Sequence, residues 1–119
     1  MNCKALHWIG SSLKDLKAMP EDIQSVFGYA LGKAQNGEKH QKAIPLKGFG
    51  SSEVLEIKES DPDGTYRAVY TVRFRKAIYV LHCFQKKSTR GIKTSQQDID
   101  LIKDRLKIAE RDARENGYE

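Results

Sequence analysis

The sequence predicts a single α+β domain over residues 1–119, in which an N-terminal strand and a helical hairpin pack on an antiparallel β-meander closed by a C-terminal helix. Three features predict it. Apolar residues recur at steps of three and four between Leu13 and Ala34, give way to β-branched and aromatic runs between Glu53 and Phe84, and return to helical spacing after Ser95. At 119 residues the chain buries about two-thirds of its unfolded surface, enough for one core. An apolar fraction of 39% with 31% charged residues is that of a soluble globular protein, without the extreme charge or apolar depletion of disorder.

The opening strand is Lys4 to Ile9, and Gly10, Ser11 and Ser12 supply a turn and a helix N-cap. Leu13, Leu16 and Met19 then recur at helical spacing up to Pro20, which starts the second helix at little cost because the first amides of a helix have no internal partner. Ile23, Val26, Phe27, Ala30, Leu31 and Ala34 form its buried face, and Asn36-Gly37 ends it. Glu38 to Gly50 is polar and glycine-marked and reads as a surface connection. Glu53 to Glu59, Tyr66 to Phe74 and Ala77 to Phe84 are the meander strands, the first two joined by the turn signal Ser60-Asp61-Pro62-Asp63-Gly64. The last helix runs from Ser95 to about Asp112, capped by Thr94 or Ser95, with Ile99, Ile102, Leu106 and Ala109 as its buried stripe. Cys3 and Cys83 lack short-spaced partners, so both are expected to be small buried apolar residues rather than members of a disulfide or a metal site. No apolar run approaches the ~20 residues of a membrane span and no secretory signal opens the chain, which places the expected site of action in the cytosol.

Charge carries the functional signal. Gly64 to Gln97 contains no acid but holds Arg67, Arg73, Arg75, Lys76, Lys86, Lys87, Arg90 and Lys93, eight cations in a chain whose net charge is +5. The remainder therefore sums to −3, and the positive field is local, as suits a polyanionic partner. Alternation puts Arg67, Val69, Thr71, Arg73 and Arg75 on one face of their strand, with Tyr66, Ala68, Tyr70, Val72 and Phe74 on the other. The aromatic face is expected to take the helices, leaving the arginine face open as a shallow basic trough. Lys58 joins that trough from the preceding strand, and Lys86 and Lys87 from the end of the last one.

The succession Pro45-Leu46-Lys47-Gly48, Val54-Leu55-Glu56-Ile57, Tyr66-Arg67-Ala68-Val69-Tyr70 and Ile78-Tyr79-Val80-Leu81-His82-Cys83-Phe84-Gln85-Lys86-Lys87-Ser88 resembles the RelE/ParE toxin superfamily, and is similar in particular to its phage-derived HigB-like branch. The resemblance extends from the first strand to about Asp112. It implies the toxin of a type II toxin–antitoxin module, a cytoplasmic enzyme that enters the ribosomal decoding site and cuts messenger RNA without a metal or other cofactor. It also implies a cognate antitoxin partner, in this branch typically a helix-turn-helix protein.

Such cleavage uses the 2′-hydroxyl of the RNA as nucleophile, so the protein must position that oxygen, manage its proton and neutralise the phosphate. Arg67, in the Tyr-Arg step the family shares, is the expected phosphate ligand, since a guanidinium offers a planar charged fork. Lys86 and Lys87 match the strand-end basic position, for a second phosphate oxygen or the acid. Lys58 is the expected base or positioning cation, because neighbouring cations favour a neutral amine. Lys47, Arg73, Arg75, Lys76, Arg90 and Lys93 are expected RNA contacts, although Lys47 also fits a role in steadying its loop. His40, in the polar connection, and His82, within an apolar strand, are reserve acids or bases, with His82 favoured as a core histidine. Phe84 and Tyr79 fit either base stacking or helix packing. Ser88 to Gln97 offers no tyrosine or histidine at the family's C-terminal proton-transfer position, and Tyr118 is expected in a mobile tail. Two other classes share the fold and stay open: a non-enzymatic DNA gyrase poison in the ParE manner, and a plain RNA-binding module. The nuclease reading in this form, with Arg67 on the phosphate, requires Arg67 to meet Lys86 and Lys87 at one water-accessible hollow.

Overall fold

The computed structural model describes residues 3–51, 53–86 and 94–119. Its elements in chain order are β1 (Ala5–Trp8), α1 (Ser12–Lys17), α2 (Glu21–Gln35), β2 (Ile44–Pro45), β3 (Val54–Asp61), β4 (Gly64–Thr71), β5 (Ala77–Lys86) and α3 (Gln96–Glu115). The expected α+β architecture is present. Strands order as β1-β5-β4-β3-β2, with β3, β4 and β5 the expected antiparallel meander. The N-terminal strand lies parallel against β5, Ala5 opposite Ala77 and Trp8 opposite Val80. Among the described residues no helix is long and apolar enough to cross a membrane.

Alternation along the strands builds two cores rather than one. On the aromatic face, Leu55, Ile57, Tyr66, Ala68, Tyr70, Ile78, Val80 and Cys83 meet Leu16, Met19, Ile23, Phe27 and Leu31 of α1 and α2. The opposite face is covered as well. There Val54, Val69, Tyr79 and Leu81 pack against Ile102, Ala109 and Ala113 of α3. The expectation of an open arginine face is thus corrected, because the apolar stripe of α3 needs Val54, Val69 and Leu81 to bury itself.

Other departures have local causes. β2 falls inside the segment expected as a surface connection; two residues, paired Ile44 to Glu56 and Pro45 to Leu55, are too few to show a period. β4 stops at Thr71 instead of Phe74, because the Thr71 hydroxyl donates to Glu53 O and accepts from Arg73 N, turning the chain. Cys3 is exposed, with its thiol on Asn36 Oδ1, whereas Cys83 is buried, which pushes its thiol up to about 12. Tyr118 is held: its carbonyl accepts from Lys76 N, and its ring lies 5.3 Å from that of His7.

The β4–β5 ladder slips by one residue, Val69 pairing with His82 and Tyr70 with Val80, so Leu81 is a bulge. The slip points both Leu81 and His82 toward α3. Arg105 of α3 donates from Nη1 to the freed Leu81 carbonyl at 2.9 Å, and its Nη2 would lie 2.9 Å from a Cβ at Gly10. Gly10, with φ of +56°, therefore serves both the turn and the close approach of the guanidinium.

Candidate nucleic-acid interface

Register brings three of the sequence-predicted residues into one neighbourhood. Lys58, Arg67 and Phe84 sit opposite one another across β3, β4 and β5, and the next same-face row is Ser60, Thr65 and Lys86. With strands about 4.8 Å apart and about 6.7 Å per two-residue step, the Lys58 and Lys86 backbones are roughly 12 Å apart. Both side chains are half-buried.

Between them Arg67 is 2% exposed and Glu56 3%. Arg67 Nη1 donates to both Glu56 oxygens, at 3.2 and 3.3 Å, and to Thr94 Oγ1 at 3.1 Å; Thr94 in turn donates to Glu56 Oε2 at 2.6 Å. Burial explains the arrangement: a guanidinium removed from water needs a counter-charge and hydrogen bonds to repay its desolvation. Arg67 therefore does not line an open hollow as expected, and the nuclease reading in the form that made Arg67 its phosphate ligand is overturned. It ties the approach to α3 down onto the sheet, and it faces phosphate only if Glu56 is given up.

Next to this clasp, His82 is 7% exposed and its Nε2–H donates to Asp98 Oδ1 at 2.8 Å. Asp98 is fixed by the Ser95 cap, whose hydroxyl donates to Oδ2 and accepts from Asp98 N. His82 is thus a core histidine rather than a free acid or base. Desolvation holds its imidazole below the ordinary value, Asp98 and Asp15 pulling it back up and Arg105 pushing it down. The fold prefers the neutral form. The stability it contributes is whole above about pH 6.5, where the unfolded imidazole is also neutral, and is lost as pH falls through the lower folded value. Urea midpoints measured from pH 7 to pH 5 should fall more steeply for this protein than for His82→Gln; equal slopes would mean that another group governs the loss.

The remaining cations separate. Arg73, Arg75 and Lys76 lie in the β4–β5 connection, at the far end of β4 from Lys86, roughly 20 Å away along the strands. Arg73 is paired with Glu110 of α3. Lys47 follows Leu46, whose amide bonds to Val54 O, and Val54 pairs with Thr71, so Lys47 belongs to that far end too. His40 is 8% exposed; its Nδ1 accepts from Lys42 N at 3.0 Å, and it lies beside Glu59, which alternates to the face opposite Lys58. Lys42 bonds Glu59 at 2.8 Å and, first among causes, lowers its carboxyl below the ordinary value. Lys87, Arg90 and Lys93 lie outside the described residues. Among the described residues the acid-free tract thus splits into two cationic groups, because the antiparallel β4–β5 hairpin keeps both strand ends at the Lys86 side and carries the middle of the tract, Arg73 to Lys76, to the other.

Sequence reasoning missed Glu56, Thr94 and Asp98 as members of this neighbourhood. A signal was present for Glu56, which shares parity with Lys58 and falls diagonal to Arg67 in the hairpin register. Thr94 and Asp98 were visible only as part of a helix start.

A family model described as phage derived protein Gp49-like matches residues 14–107. No curated protein matches the chain by sequence. Among solved structures, the free Escherichia coli toxin RelE, in a doubly substituted form, superposes with a TM-score of 0.57 at 16% identity, over 88% of this chain and 96% of that one. The isolated E. coli RelE toxin in another crystal form gives 0.54 at 18% identity, over 84% and 96%. The RelBE2 toxin–antitoxin complex of Mycobacterium tuberculosis gives 0.47 at 18% identity, over 74% and 97%. The fold is RelE-like; none of these matches singles out the HigB-like branch.

Proposed function

The chain belongs to the family of phage-derived Gp49-like proteins, and we propose that it is the toxin of a toxin–antitoxin module, an endoribonuclease directed at messenger RNA on translating ribosomes. The observation that carries this is the placement of Lys58 and Lys86 on one sheet face, flanking Arg67 and Phe84, in a RelE-like fold. Two ammonium groups on long stems rooted about 12 Å apart can both reach the phosphates of one extended strand and keep their heads in water.

The chemistry assigned to the site is attack of a ribose 2′-oxygen on the adjacent phosphorus. The bond to the 5′-oxygen breaks, a 2′,3′-cyclic phosphate remains, and the hydroxyl proton ends on the departing oxygen. Lys58 and Lys86 hold and neutralise the phosphates. Lys58 is assigned as a phosphate contact in place of the expected base, and Arg67, buried against Glu56, is a positioning residue that steadies the sheet beneath the scissile linkage. With the guanidinium committed to Glu56, RNA binding is expected to be firm and cleavage slow. The antitoxin is proposed as a helix-turn-helix protein and the working compartment as the cytoplasm.

Induced expression with pulse labelling tests the proposal. Protein synthesis should stop before DNA synthesis, and transcripts should acquire new 5′-hydroxyl ends within coding regions. A stop in DNA synthesis first, with intact transcripts, would replace it with a gyrase poison. Neither stop, with salt-sensitive RNA binding retained, would leave a binding module.

A further inference from the structure

The aromatic ring of Phe84 is half-buried, lies in the same cross-strand row as Lys58 and Arg67, and precedes Lys86 by two residues on the same face. It stacks on His82 with centroids 4.2 Å apart and planes 14° from parallel. His82 is itself anchored by Asp98 on α3, so the pair is a rigid platform. Because His82 covers one face of the ring, the second face of Phe84 is turned away from His82. Phe84 also packs against the edge of the core under α3, and among the described residues no other ring and no cation lies against it. Tyr79, the other aromatic side chain of β5 on this face, is fully buried and donates its hydroxyl to Asp112 at 2.5 Å, which removes it as a platform.

We propose that Phe84 is the base-stacking platform of this site: an unpaired nucleobase lies on the ring face turned away from His82, with its flanking phosphates on Lys58 and Lys86. The inference rests on the RNA-directed reading above and names the part of the substrate that reading left unassigned. A flat apolar face between two cations matches a single strand, whose bases are flat and whose backbone is anionic. Stacking of this kind needs no base-edge hydrogen bonds, so the site grips any base and gains affinity without sequence preference.

The test uses an RNA hexamer with 2-aminopurine at one central position and a matched hexamer with an abasic ribose there. The protein should quench the 2-aminopurine and bind the complete hexamer about tenfold more tightly than the abasic one. Phe84→Leu should lose that difference while binding the abasic hexamer unchanged, and Phe84→Trp should restore it. Equal binding of both hexamers by the unaltered protein would sink the platform and leave the RNA reading standing. Binding of neither would remove both. A loss in Phe84→Leu that Phe84→Trp does not repair would make the ring a packing residue and overturn the inference.

Discussion

Arg67→Ala is expected to cost about 3–5 kcal/mol of folding stability, because it leaves Glu56 charged, buried and without its counter-charge. In a domain of this size that lowers the melting temperature on the order of 10–20 °C. Glu56→Ala should cost a similar amount by stranding the guanidinium. Replacing both partners with apolar residues of like volume, as in Arg67→Met with Glu56→Leu, should recover most of the loss, since the pair's own attraction is largely spent on desolvation. Urea unfolding of the four proteins closes a double-mutant cycle. Lost growth inhibition in Arg67→Ala alone therefore does not identify a catalytic residue. If Arg67→Ala instead unfolds within about 1 kcal/mol of the parent and still abolishes toxicity, the guanidinium acts on substrate and the clasp described here is incidental.

The sequence made the two helical stripes and the meander legible because each spans enough residues for its period to repeat. The hairpin register was legible too, since the Pro62-Asp63 turn fixes Lys58 opposite Arg67. What it concealed was the layer over the arginine face. The stripe Ile99, Ile102, Leu106 and Ala109 announces that α3 needs an apolar partner, but Val69 and Thr71 alternate with arginines in a way that reads as half-exposed until Leu81 and Tyr79 are set beside them. The bulge at Leu81 changes which side chains of β5 face α3, and no single residue in a run of apolar residues marks where a ladder slips. The same limit applies to the site. A tract counted along the chain gives net charge, whereas the split of that tract between the Lys86 end and the Arg73 end follows from strand direction.

Neutralising Lys58 and Lys86 together, as Lys58→Gln with Lys86→Gln, is expected to weaken binding of single-stranded RNA roughly a hundredfold at low salt, two charge-assisted contacts contributing about 1.5 kcal/mol each. The slope of log affinity against log salt should become shallower by about 1.4, as two fewer counterions' worth of phosphate charge is neutralised on a single strand. Stability should stay within about 0.5 kcal/mol of the parent, because both side chains are half-exposed and neither forms an ion pair among the described residues. The control is Arg75→Gln with Lys76→Gln, which removes the same formal charge from exposed positions at the far end of the sheet. If net charge alone governed attraction, the two double variants would behave alike. The proposed site requires them to differ, since only the Lys58 and Lys86 pair flanks the row in which Phe84 lies. Titrations at several salt concentrations decide between these outcomes, and equal losses in the two variants would show that this face merely attracts RNA and does not seat it.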